Sequence, residues 1–192
     1  MGREPSRGDR FDRGPVLRAD PIAIAPLVRG DFDALYATAS DPLIWEGHPS
    51  NTRHERAAFA QYFEVLVTRI GALGVRIDGA FAGASSYYTA PDMPGSISIG
   101  YSFLARKYWG GATNFAVKRL MIDHALTHFP EVWFHINLTN IRSQKATMKL
   151  GAVFAYEANL DLSGSGHPDD WKIYRLSRDN WDETVRRHLS AA

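Results

Sequence analysis

The chain has 192 residues, 45% of them hydrophobic and 12% aromatic, enough apolar material for one full core within a single domain. Its 22 basic residues stand against 21 acidic ones, and a net charge of +1 carries no general electrostatic footprint for nucleic acid or a membrane surface. The absence of cysteine excludes a disulfide framework, a thiolate metal site and a cysteine nucleophile. No apolar run approaches a membrane span and the N-terminus lacks the apolar core of a signal peptide, so a soluble, cytoplasmic protein is expected.

Residues 1–14 crowd arginine, aspartate, glycine and proline, and read as a flexible leader before one domain over 15–192. Val16 to Leu27 reads as a first strand, interrupted by Pro21 and Pro26 and therefore placed at a sheet edge. A short helix follows from Arg29 to about Ala39. The loop from Asp41 to Asn51 gathers Trp45, Glu46 and His48 between two prolines. Such a restrained loop suits one wall of a substrate pocket; the alternative is that Trp45 packs over the core while Glu46 and His48 meet water. Thr52 and Glu55 form a capping-box pattern for a helix whose Phe59, Tyr62, Phe63, Leu66, Val67 and Ile70 fall on one face, a core stripe.

Gly71–Ile77 and Ala80–Thr89 read as strands joined through Asp78-Gly79, a strong hairpin signal. Tyr87 and Tyr88 then face opposite sides of the sheet, so one of them at most lines a cleft on a given face. Residues 96–103 alternate, with Ile97, Ile99, Tyr101 and Phe103 on one side. After this strand come Arg106 and Lys107, paired glycines at 110 and 111, and a helix from Thr113 to His128. Glycines let backbone approach a ligand closely, and the N–H groups and dipole of a helix start favour negative charge, so the turn suits an anion. Val132–Asn137 is a second alternating strand, parallel to the first through the crossover helix. Its His135 shows no partner in the sequence and reads as a packed sheet histidine. A helix capped by Asn140 and closed by Gly151, a hairpin over 152–160 and 171–177, and a terminal helix capped by Asp179 complete the chain.

The run Lys107-Tyr108-Trp109-Gly110-Gly111-Ala112 resembles the pyrophosphate motif of the GNAT N-acetyltransferases, with lysine where that motif has Arg or Gln. Asn137-Leu138-Thr139-Asn140-Ile141-Arg142-Ser143, continuing to Lys149-Leu150-Gly151-Ala152, resembles the segment after the fifth strand in the branch that acetylates ribosomal-protein N-terminal alanines. Together with the Asp41-Pro42 and Trp45 loop, the resemblance covers about residues 15–178. After the tryptophan and glycine, relatives carry a further glycine two places on and a Thr-Glu pair; this chain has Gly110-Gly111-Ala112-Thr113-Asn114-Phe115, which leaves the subgroup and its substrate open.

The resemblance implies an α/β (α+β) GNAT fold: a mixed, mostly antiparallel sheet of six to seven strands, splayed between strands four and five, with helices on both faces. It implies acetyl-CoA as co-substrate, no metal, and direct transfer of the acetyl group to a primary amine of a small molecule or a protein N-terminus. Phe103, Leu104 and Ala105 would pair with the pantetheine arm; Arg106, Lys107, Tyr108, Trp109, Gly110, Gly111, Ala112 and Thr113 would hold the pyrophosphate; Asn140 and Ser143 would reach the arm from the other side. Glu46 and His48 are the expected proton acceptors, with Glu157 behind them, and Ser143 or Tyr101 the expected donor to the thiolate. Trp45, His48 and Tyr87 or Tyr88 are the expected acceptor lining. A non-catalytic acyl-CoA sensor and a site for another phosphate ligand are the alternatives. No nucleic acid or membrane partner is expected, and the chain is expected to act as a monomer or homodimer.

Overall fold

The computed structural model describes residues 11–190 except 163 and 165. The chain divides into two compact units. Among the described residues there are eight strands rather than six or seven, in a mixed, mostly antiparallel α/β arrangement.

The first unit holds Asp12–Tyr88 and Ile99–Ile122. Strand β1 (Leu17–Ala19) and strand β2 (Ile22–Pro26) form a hairpin where one edge strand was expected. Pro21 sits in the connection, preceded by a cis peptide bond, and Pro26 ends β2. Only β1 lies at the edge, because β2 pairs antiparallel with β3 (Leu73–Ile77) along its other side. β3 pairs in turn with β4 (Ala80–Tyr88) through Asp78-Gly79, both at positive φ (52° and 78°), the signature of the expected tight hairpin.

Helix α1 (Phe32–Ala39) and helix α2 (Arg56–Val65) cover one face of these strands. Leu35, Ile44, Trp45, Phe59, Phe63, Leu66 and Ala84 form their shared core. The Thr52–Glu55 capping box does not form. Residues Asn51–His54 make a separate 3-10 turn, and Glu55 stands at the N-cap without a side-chain bond. α2 ends in a π-turn, Leu66–Ile70, closed by Gly71 in the left-handed region. The opposite face of β4 meets helix α3 (Ala112–Leu126), where the buried Tyr87 hydroxyl donates to the Met121 carbonyl at 2.7 Å. α3 begins within a residue of expectation and ends two residues short of His128.

The second unit holds Thr89–Ser98 and everything from Asp123 on, with Phe11. The expected leader falls largely outside the described residues; its Phe11 is buried against His124, His128 and Phe129. Strand β6 (Glu131–Asn137) is buried on both faces from Val132 to Asn137, as a central strand must be. It pairs antiparallel with β8 (Asp169–Ser177), and β8 with β7 (Val153–Leu160), the expected hairpin. The expected parallel pairing exists at one register, Ser98 with Trp133. Helix α4 (Ile141–Lys149) packs on β6 and β8, and helix α5 (Arg178–Ser190) closes the chain. The Ser177 hydroxyl, not Asp179, caps α5 by accepting from Asn180 N at 3.3 Å; Asp179 lies already in the first turn.

Candidate active site

Strand β5 (Ser98–Leu104) departs from simple alternation at Tyr101, a non-glycine residue with φ +50°. A left-handed tyrosine costs roughly 1–2 kcal/mol, so the surrounding packing must hold it there. It does so from two sides. The Tyr62 hydroxyl of α2 donates to the Tyr101 carbonyl at 3.3 Å. The Tyr101 ring meets Tyr88 edge-on, with centroids 5.4 Å apart. Phe103 enters the helix-covered core, against which Tyr101 also packs, while Ser102 is exposed.

Beyond the kink, β5 runs against β4 so closely that a Cβ on Gly83 would lie 2.0 Å from the Phe103 carbonyl oxygen. Ala105 N donates to the Ala82 carbonyl at 2.7 Å. With Phe103 O and Ala105 N both turned to β4, the alternation of the strand turns the Leu104 backbone to the other edge. There the Leu104 carbonyl accepts the Trp109 indole N–H at 2.7 Å. The ladder with β6 is registered at Ser98 with Trp133.

A 3-10 turn, Arg106–Tyr108, follows, then Gly110 at φ +68°. A Cβ on Gly110 or on Gly111 would meet nothing within 4 Å, so the backbone here is open on its outer side. The chain enters the 15-residue α3 at once, with the N–H groups of its first turn unclaimed by helix bonds. The two basic residues of the turn differ. Arg106 is ion-paired with Asp41, and the guanidinium beside it holds the Asp41 carboxyl below its usual range. Lys107 lies over the Tyr108 ring at 4.9 Å and is otherwise exposed. A third cation was not singled out from the sequence. Lys118 of α3 donates to Ser102 Oγ at 2.9 Å, and Ser102 Oγ lies 2.6 Å from Ser85 Oγ. Desolvation pushes the Lys118 amine down to about 8.

The expected acceptor lining is brought together only in part. Trp45 is buried, donates its indole N–H to the Ala39 carbonyl at 2.8 Å, and meets the Phe103 and Tyr62 rings at 5.1 and 5.9 Å. His48 stands edge-on to it at 5.8 Å. Ser50 N donates to His48 Nδ1 at 2.9 Å, which holds the neutral ring as the Nε2–H tautomer. That arrangement makes the neutral His48 a hydrogen-bond donor at Nε2. Glu46 is exposed. Tyr88 faces Tyr101, but Tyr87 is removed from any lining by its buried bond to Met121, and burial raises its phenol pKa.

Two residues passed over in the sequence stand here. Tyr62, read as core stripe, is buried and pushed up to about 12, chiefly by desolvation. Arg53 lies 3.7 Å above the Tyr62 ring and 5.5 Å from that of Trp45. It was hidden inside the apparent capping box.

In the second unit, Asn140 Oδ1 accepts from Ser143 N at 3.1 Å and caps α4. Buried Gln144 locks the same segment by donating to the Asn137 and Leu138 carbonyls. His135 is the packed histidine expected, with a partner the sequence did not disclose: its Nε2 lies 3.3 Å from Asp92 Oδ1, and Tyr156 donates to Asp92 Oδ2 at 2.7 Å. Glu157 is exposed and near Lys172 at 3.7 Å. No group of three or more His, Cys, Asp or Glu able to hold a metal occurs among the described residues. No described helix is long and apolar enough to cross a membrane.

Residues 22–153 match the model of the family described as the acetyltransferase (GNAT) domain. Among solved structures, the chain is similar to a GCN5-related N-acetyltransferase from Brucella melitensis, at 15% identity and TM-score 0.72, over 95% of this chain and 89% of that one. It is also similar to Mycobacterium smegmatis RimJ in complex with CoA-disulfide, at 16% identity and TM-score 0.62, over 95% of each chain. Spermidine N-acetyltransferase from Vibrio cholerae, in complex with CoA and spermine, is similar at 11% identity and TM-score 0.58, over 85% of this chain and 99% of that one. These identities speak for the fold alone. No curated protein matches the chain at a significant level.

Proposed function

Because this chain belongs to the acetyltransferase (GNAT) domain family, we propose that it transfers an acetyl group from acetyl-CoA to a primary amine, with the co-substrate held along Phe103–Thr113. The observation that carries the reading is the open backbone at Gly110 and Gly111, directly before the positive end of α3. Oriented N–H groups and a helix dipole suit a pyrophosphate without needing a particular side chain. Lys107 adds the solvent-facing charge, while Arg106 braces the turn through Asp41. The outer edge of β5, where the Leu104 carbonyl already accepts the Trp109 indole, suits an added extended ligand such as a pantetheine arm.

Acetyl-CoA supplies an activated acetyl group, whose C–S bond breaks as the amine nitrogen forms its bond to the carbonyl carbon. The N–H of Leu104, on the outer edge of β5, donates to the oxygen on which charge develops. The amine must arrive neutral. Its proton passes to Glu46 or to solvent, since His48 Nδ1 already accepts a backbone N–H. Tyr101, held by Tyr62 and Tyr88, is the proton donor to the departing thiolate. Asn140 and Ser143 serve within their own unit as cap and capped residue.

The test is a thermal-shift titration with acetyl-CoA, CoA, ATP and NAD, followed by thiol release across a panel of amines. A ligand that binds only the folded state raises the melting temperature by mass action. Shifts with acetyl-CoA and CoA alone, with thiol release, are expected. A shift with ATP instead would overturn the reading. Tight binding without transfer to any amine would favour an acyl-CoA sensor.

A further inference from the structure

We infer that Arg53 selects the acceptor, and that the acceptor is a small amine carrying a carboxylate rather than a polyamine or a protein N-terminus. The inference rests on the acetyltransferase reading and deepens it. In the first unit, Arg29, Arg56, Arg76 and Arg106 each find a carboxylate: Glu64, Asp33, Asp31 and Asp41. Arg53 does not. Its half-buried guanidinium lies on the Tyr62 ring at 3.7 Å and near that of Trp45 at 5.5 Å, and among the described residues no carboxylate or carbonyl accepts from it. A guanidinium carries five N–H donors in a planar fork. Stacked on rings, the fork is fixed in orientation while its donors stay unmatched, which is the arrangement that receives a carboxylate in two parallel hydrogen bonds.

The position is one side chain from the proposed chemistry. Arg53 rests on Tyr62, Tyr62 donates to the Tyr101 carbonyl at the kink of β5, and Trp45 packs on Phe103. Tyr62 and Tyr101 are also the groups whose charge Arg53 feels most closely. Desolvation lowers the Arg53 pKa, but an arginine remains charged at any working pH. A fixed cation here repels a polyamine and draws a carboxylate. It also disfavours the ammonium form of a nearby amine, so more of the acceptor is present as the neutral nucleophile. One guanidinium balances one negative charge, which matches a carboxylate better than a phosphate dianion.

The experiment compares kcat/KM for a free amino acid, its carboxamide, an amine phosphate monoester, spermidine and a short peptide with a free N-terminus. It uses the full chain as wild type, R53Q and R53K. Losing a charge-assisted pair costs about tenfold or more, so the wild type is expected to favour the amino acid over its carboxamide by at least about that factor. R53Q should bring the ratio close to unity and R53K should retain part of it, with the acetyl-CoA melting shift alike in all three. A wild-type ratio near unity, a ratio unchanged in R53Q, or preference for the phosphate, spermidine or peptide overturns the inference while leaving the acetyltransferase reading intact. The wild-type ratio decides this even where R53Q fails to fold. Absence of both an acetyl-CoA shift and thiol release from every amine overturns the acetyltransferase reading, and this inference with it.

Discussion

Gly83→Ala tests the frame on which the proposed cofactor edge depends. The added methyl would lie 2.0 Å from the Phe103 carbonyl oxygen and 2.9 Å from Leu104 Cα, both backbone atoms that no rotamer change can move. Ordinary C···O contacts begin near ~3.3 Å. β4 and β5 must therefore separate by roughly 1 Å, straining the Ala105 N to Ala82 O bond at 2.7 Å beside them. Overpacking of this kind costs about 1–3 kcal/mol, and the backbone character of the clash places Gly83→Ala at the upper end. For a chain of this length, at about 2–4 °C per kcal/mol, that upper end is a fall in melting temperature of roughly 6–12 °C. The same separation shifts Leu104, so acetyl-CoA affinity falls too. Urea unfolding gives the stability change and calorimetric titration the affinity. A variant within about 0.5 kcal/mol of wild type and with unchanged affinity would refute the close approach of the two strands and the site built on it.

Gly110→Glu places a side chain at φ +68° and a negative charge at the start of α3. Strain of about 1–2 kcal/mol and the repulsion of a phosphate should weaken acetyl-CoA binding at least about tenfold; equal affinity by titration would move the pyrophosphate elsewhere. Asn140→Ala removes the α4 cap and should cost about 1 kcal/mol in urea unfolding, largely restored by Asn140→Asp; no loss would show the cap to be dispensable. His135 is lowered below its usual value by burial, against which Asp92 acts. The unfolded chain then binds the extra proton first, so stability is full above about 6.5 and falls as the pH drops below it. Unfolding free energies measured from pH 7.5 downward should show this slope, and Asp92→Asn should extend it to lower pH. A His135→Gln variant with the same slope as wild type would show that another group carries it.

Local chemistry made much of the fold legible. Asp78-Gly79 announces its hairpin because both residues tolerate positive φ, and β6 is apolar on both faces because it is central. What escaped depends on contacts distant in sequence. Nothing near Tyr101 marks its kink, which is held by Tyr62 from α2 and Tyr88 from β4. Asp92 becomes a partner of His135 only once its loop is placed. The capping box failed at Thr52 because residues 51–54 coil into a turn of their own, and that turn lifts Arg53 onto Tyr62. Glu46 and His48 stand two residues apart in sequence, but whether the imidazole Nδ1 offers a lone pair depends on a backbone N–H at Ser50.

The bond from the Trp109 indole to the Leu104 carbonyl makes the turn optically addressable. An indole whose N–H is tied to the strand edge, and whose ring is only half-buried, changes its emission when that carbonyl or its surroundings are disturbed. Trp45, Trp133 and Trp181 are sealed in their cores, while Trp171, half-buried with its indole N–H donated to the Leu160 carbonyl, adds a signal of its own. The part of an acetyl-CoA-dependent emission change that Trp109→Phe removes is therefore expected to report occupancy at the proposed pyrophosphate turn.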